Sequence, residues 1–137
     1  MNWKRFLPLL LLTYVVIILL DFVYNFIFLQ KAFIENSQYW RSPKEMQNLV
    51  LVGWLIMILC ITLVALLFAR FGKSGIYNGL EFGLLLGLSS FVLICGFTTI
   101  VPWSPYLLIA WAGQWFVNDV IIGFLFGWLY KGKAVSV

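Results

Sequence analysis

Three carboxylates lie inside long apolar stretches of this chain: Asp21, Glu81 and Asp119. An acid at mid-bilayer costs on the order of 2.5–3.5 kcal/mol on insertion scales. No Lys or Arg falls at mid-depth to pair with any of them. Each must therefore be protonated, hydrogen-bonded, hydrated or bound to a cation. At ~1.5 Å per helical residue, Asp21 and Asp119 lie at about 23 and 17 Å from the inner ends of their spans, near the middle. Asp21 shares a helical face with Tyr14 and Asn25. Asp119 follows Trp115 by one turn and sits on the ridge of Gly123 and Gly127, so it is expected to face a packed helix. Gln114 and Asn118, at i and i+4, extend a neighbouring polar face. The expectation is a buried polar cluster between the first and last helices, holding Tyr14, Asp21, Asn25, Gln114, Trp115, Asn118 and Asp119. Such a cluster either glues helices through neutral hydrogen bonds or titrates or binds a cation. Glu81, near the inner end of its span, is expected to snorkel or to pair with Arg70, Lys73 or Lys131.

Other chemistry is poorly served. Histidine is absent, which removes the commonest metal ligand and the commonest general acid/base. There is no serine nucleophile elbow and no ligand-spaced cluster, so no catalytic residue, metal or cofactor is expected. A carboxylate pair could still do acid/base work on a lipid substrate. Cys60 and Cys95 fall in apolar segments at different depths and read as buried structural thiols, not a disulfide. The net charge of +4 sits at the ends of apolar runs with no block of four bases, which argues against nucleic acid.

The elements that position these groups follow from composition. Of 137 residues, 64% are hydrophobic and 10% charged, with a mean hydropathy of +1.02. Soluble domains are roughly half apolar and a quarter charged, so the solvent for this chain is lipid. About 20 apolar residues cross the hydrocarbon core. Four stretches qualify, about 6–29, 49–69, 76–101 and 106–130, giving an all-α membrane protein of four transmembrane helices in an antiparallel bundle and a single domain. Pro8 is placed in the first turn of the first span, where its missing N–H is harmless. Lys4 and Arg5 before an apolar run resemble a signal peptide, but the run is too long and no small-x-small site follows, so it is read as a retained span.

Six bases (Lys4, Arg5, Arg70, Lys73, Lys131, Lys133) fall on one side and three (Lys31, Arg41, Lys44) on the other, which predicts both termini in the cytoplasm. The long outer connection, near 30–48, reads either as an interfacial amphipathic segment or as a solvated loop. Within it Ser42-Pro43-Lys44-Glu45 could start a helical turn. Gly79, Gly83 and Gly87 form one narrow stripe on the third span, and Gly123 and Gly127 a shorter one on the fourth. Such stripes let helices approach closely, within the chain, in a second copy or in a larger membrane complex.

Asp21-Phe22-Val23-Tyr24-Asn25, Tyr39-Trp40-Arg41-Ser42-Pro43-Lys44-Glu45-Met46, Gly79-Leu80-Glu81-Phe82-Gly83 and Ile122-Gly123-Phe124-Leu125-Phe126-Gly127-Trp128 resemble small four-helix bacterial membrane proteins grouped as domains of unknown function. The resemblance implies a bacterial inner membrane and no particular activity. The leading expectation is an accessory protein that packs helices, with the lipid bilayer as its first partner. The alternative is a proton- or cation-coupled transporter, or a binder of an apolar small molecule, using Asp21 and Asp119.

Overall fold

The computed structural model describes residues 2–130, leaving aside the side chain of Thr98; Lys131 and Lys133, counted above toward orientation, lie outside them. The described chain is helical, without strands. α1 runs Trp3–Tyr24 and passes through a wide π-turn, Asn25–Leu29, into α2, Gln30–Glu35. After a short 3-10 turn come α3, Pro43–Phe71, and α4, Ile76–Gly96; a second 3-10 turn, Phe97–Thr99, precedes α5, Pro105–Leu129. Four of these helical stretches are long and apolar enough to cross a membrane, α1 and α2 counting as one from Trp3 to Glu35.

Several boundaries differ from the hydropathy reading, because hydropathy measures the apolar run and a helix can continue past it. The first helix begins at Trp3, so Pro8 lies inside it and not in its first turn; the Lys4 carbonyl loses its helical N–H there. The helix also continues beyond Leu29 through the π-turn. Asn25 donates from its side-chain amide to the Asp21 carbonyl (2.7 Å), competing with the backbone ladder where the turn widens. α3 starts at Pro43, with Ser42 and Glu45 forming a reciprocal capping box and proline at the start of the helix. α4 stops at Gly96, short of 101, in the 3-10 turn. Ser104 caps α5 by accepting from the Leu107 N–H (3.2 Å).

α4 and α5 pack antiparallel along the glycine stripes. Gly79 lies against Gly123 and Gly127, Gly83 against Asp119 and Val120, and Gly87 against Phe116. The Gly75 N–H donates to the Gly127 carbonyl (3.0 Å), closing the contact at one end. The glycine stripe is therefore filled by α5 of the same chain, and association with a second copy or a larger complex would have to use another face. α1 and α3 join this pair through an apolar core of Phe6, Leu10 and Ile17 with Ala65, Phe68 and Phe126. At the opposite end Leu29, Ala32, Leu107 and Ala110 form a second core, backed by Phe33, Trp40, Trp103 and Trp111. Asn36 ties α2 to the start of α5: its amide donates to Ser104 Oγ (3.2 Å) and its carbonyl oxygen accepts from the Ser104 N–H (3.0 Å).

α3 is held unevenly. Its second half contributes Ile61, Ala65 and Phe68 to the core, and the Tyr14 hydroxyl reaches it by donating to the Ile58 carbonyl (3.0 Å) and pairing with Thr62. Residues 43–56 are all exposed. The first half of α3 thus stands away from the bundle.

Candidate intramembrane site

Between the two cores lies a polar layer. Asp21, on α1, sits across from α5, where Gln114 and Asn118 present their amides one turn apart. Both donate to the same carboxylate oxygen, Gln114 Nε2 at 2.7 Å and Asn118 Nδ2 at 2.8 Å from Asp21 Oδ1. This pairing answers the desolvation of an acid in an apolar span, since hydrogen bonds to a carboxylate are stronger than those between neutral groups. The i,i+4 spacing of the amides puts them on one face of α5.

Asp119 is next in sequence to Asn118 and turns to a different neighbour. Ser90, on α4, donates its hydroxyl to Asp119 Oδ2 (2.7 Å), and the residue is only 4% exposed. The close glycine contact makes this bond possible, because α4 backbone rides directly on α5 at Gly83 and Gly87. Ser90 was not among the expected site residues. Its position three after Gly87, on the glycine side of α4, was a usable signal.

The two acids line one cavity of about 350 Å3, together with Asn25, Gln114, Asn118 and Trp115. Its apolar wall comes from α1, α3 and α5, including Ile17, Met57, Ile61 and Ile122. Asp21, Asn25, Gly53, Met57 and Trp111 also line an adjoining groove of about 690 Å3 between α1 and the freestanding half of α3. The groove reaches the outer surface of the helices, where Phe22 is 73% and Trp54 45% exposed. On the other side of the Ser90–Asp119 bond, an apolar recess of about 400 Å3 lies between α4 and α5, and Trp111 and Trp115 border it as well.

One atom in this layer is left over. Gln114 is 7% exposed and its Oε1 is buried without a hydrogen-bond partner. An unpaired buried acceptor costs about 1–3 kcal/mol, so native structures seldom leave one without a use.

The residues singled out from the sequence divide into two groups. Asp21, Asn25, Gln114, Trp115, Asn118 and Asp119 all line the cavity. Tyr14 does not; its hydroxyl binds α3, two turns away along α1 from Asp21. Glu81 is exposed on α4, and neither Arg70 nor Lys73 forms an ion pair with it among the described residues; Lys131 lies outside them. Cys60 and Cys95 are both free thiols, and Cys60 borders the cavity. No group of three or more potential metal ligands occurs among the described residues. No family model, no curated protein and no solved structure matches this chain.

Proposed function

We propose that the protein binds a small, largely apolar molecule within the membrane, admitted sideways from the bilayer between α1 and α3. The observation that carries this reading is the cavity holding both intramembrane acids and its continuity with the groove beside α3. Helix glue alone requires no such space: amides and acids that only fasten helices can close on one another. A site of this volume, apolar with a few convergent polar groups, has the usual make-up of a ligand pocket.

Cys60 provides a built-in test, because a thiol must ionise to react and so reports water. In a Cys95→Ala background, Cys60 is expected to react with benzyl methanethiosulfonate in bilayer nanodiscs. Gly53→Trp should slow that reaction at least about tenfold, since a Cβ at Gly53 meets open space and a large side chain there fills the cavity mouth. A Cys60 that stays inert while an exposed engineered cysteine at Ser37 reacts would mean a closed, dry contact, and the binding reading would fall.

The accessory reading keeps one supporting observation: the freestanding half of α3, from Leu49 to Ile56, is apolar and exposed. A membrane partner could cover it. For location, the resemblance noted above supports a bacterial inner membrane, and the excess of bases at one set of helix ends supports both termini in the cytoplasm. With Cys60 and Cys95 replaced, cysteines at Ser37 and Ser104 should label from outside intact cells with an impermeant reagent. One at Ser136, beyond the described residues, should not. The reverse pattern would invert the topology.

A further inference from the structure

The unclaimed hydrogen-bonding atoms of the cavity are mostly oxygen acceptors. The amides of Gln114 and Asn118 turn their N–H groups onto Asp21 Oδ1, and Ser90 gives its hydroxyl proton to Asp119 Oδ2. Among the described residues this leaves Asp21 Oδ2, Asp119 Oδ1, Asn25 Oδ1, Asn118 Oδ1 and the buried Gln114 Oε1 without a donor, while the indole N–H groups of Trp111 and Trp115 have no acceptor. The five oxygens are all acceptors, two of them on carboxylates. Among the described residues, no Lys or Arg borders the cavity or the groove to neutralise them.

A bare alkali ion would answer the charge but not the shape. The walls are mostly aliphatic, with Trp111 and Trp115 beside the acids, and the space extends into a groove far larger than an ion. Indole faces favour a cation with an organic body, through the attraction of the ring quadrupole. A divalent metal ion is usually held by several carboxylates, and no group of three or more His, Cys, Asp or Glu occurs among the described residues.

Resting on the binding reading above, we infer that the cavity takes an organic ammonium ion carrying at least two N–H bonds, one directed to Asp21 and one to Gln114 Oε1. Its apolar body lies along the groove between α1 and α3. The amine headgroup satisfies the orphaned carbonyl, which neither a hydrocarbon nor a quaternary ammonium can do. This fixes the ligand's chemistry: a primary or secondary amine on an apolar frame, partitioned into the membrane.

The test compares three probes of nearly one shape: 4-phenylbutylamine, 4-phenylbutanol and 4-phenylbutyl-trimethylammonium. Binding to the protein in nanodiscs is measured by calorimetry, with empty nanodiscs subtracted. The primary amine should bind at least about tenfold more tightly than either analogue, the scale of a charge-assisted hydrogen bond in a site that cannot replace it. Asp21→Asn and Gln114→Met should each remove that advantage, bringing the amine-to-alcohol affinity ratio close to one. The ratio of the three probes on the parent protein is decisive by itself should a variant fail to fold. Equal binding of amine and alcohol would overturn the ammonium inference while leaving the binding reading standing. Equal binding of the quaternary ion and the primary amine would overturn the role of the N–H donors. No binding of any probe would overturn both readings.

Discussion

Gly83→Leu unseats α4 from α5 and lowers the stability of the purified protein by about 3 kcal/mol, at the upper end of overpacking costs. A Cβ placed on Gly83 would lie 2.7 Å from the Asp119 carbonyl oxygen and 2.8 Å from the Val120 Cα. Both obstructing atoms are backbone, so no side-chain rotation relieves the clash. Helix pairing in lipid lacks a hydrophobic drive and depends on such close approach. Moving α4 outward also draws Ser90 away from Asp119, because that bond spans the same interface. Gly83→Ala should destabilise in the same direction. Gly96→Ala, where a Cβ meets nothing within 4 Å, should be neutral or slightly stabilising, since alanine is the better helix former. Thermal melts in mild detergent compare the three variants with the parent. A Gly83→Leu protein melting like the parent would mean that the stripe is not an interface.

Asp21→Leu is the second large loss. It strips two amide donors on α5 of their acceptor and leaves Gln114 with both ends unpaired. Interhelical hydrogen bonds in membranes average near 0.6 kcal/mol and reach about 1.7, so removing two should cost about 1–2 kcal/mol. Asp21→Asn should cost less than about 1 kcal/mol, because the carboxamide oxygen still accepts from both amides. The order parent, Asn, Leu is the readout, again from detergent melts. If Leu matches the parent, the acid is not holding α1 to α5, and the pairing assigned to it is wrong.

The parts of this fold legible in the sequence are those with a strict period. Gly79, Gly83 and Gly87 repeat every four residues, and so do Gln114 and Asn118; a helix converts that spacing into a face without further information. What faces them is a matter of which helices become neighbours. Tyr14 shows the difference: it lies on the Asp21 side of α1 by periodicity, yet its hydroxyl reaches α3 at Ile58. The standing-off of α3 left no mark on the sequence either. Residues such as Leu51, Leu55 and Leu59 are apolar whether protein or lipid surrounds them, so their composition is silent about packing. Gly53 likewise reads as an unremarkable helix glycine until α1 and α3 are seen to diverge beside it. The extension of the first helix to Glu35 was hidden for a simpler reason. Gln30, Lys31 and Glu35 interrupt the apolar run there, with Lys31 and Glu35 paired at 3.8 Å, and a hydropathy window ends at such charges although the helix does not.

The bond between Asp21 and α5 joins residues far apart in the chain: 93 positions separate Asp21 from Gln114, and 97 separate it from Asn118. Synthesis runs from the N-terminus, so the acid emerges from the ribosome well before either amide exists. During that interval α1 carries a carboxylate with no helix to receive it. Until α5 is made, the acid has to be accommodated by protonation or hydration, at a cost on the order of 2.5–3.5 kcal/mol on insertion scales. The two amides of α5 then relieve part of that cost.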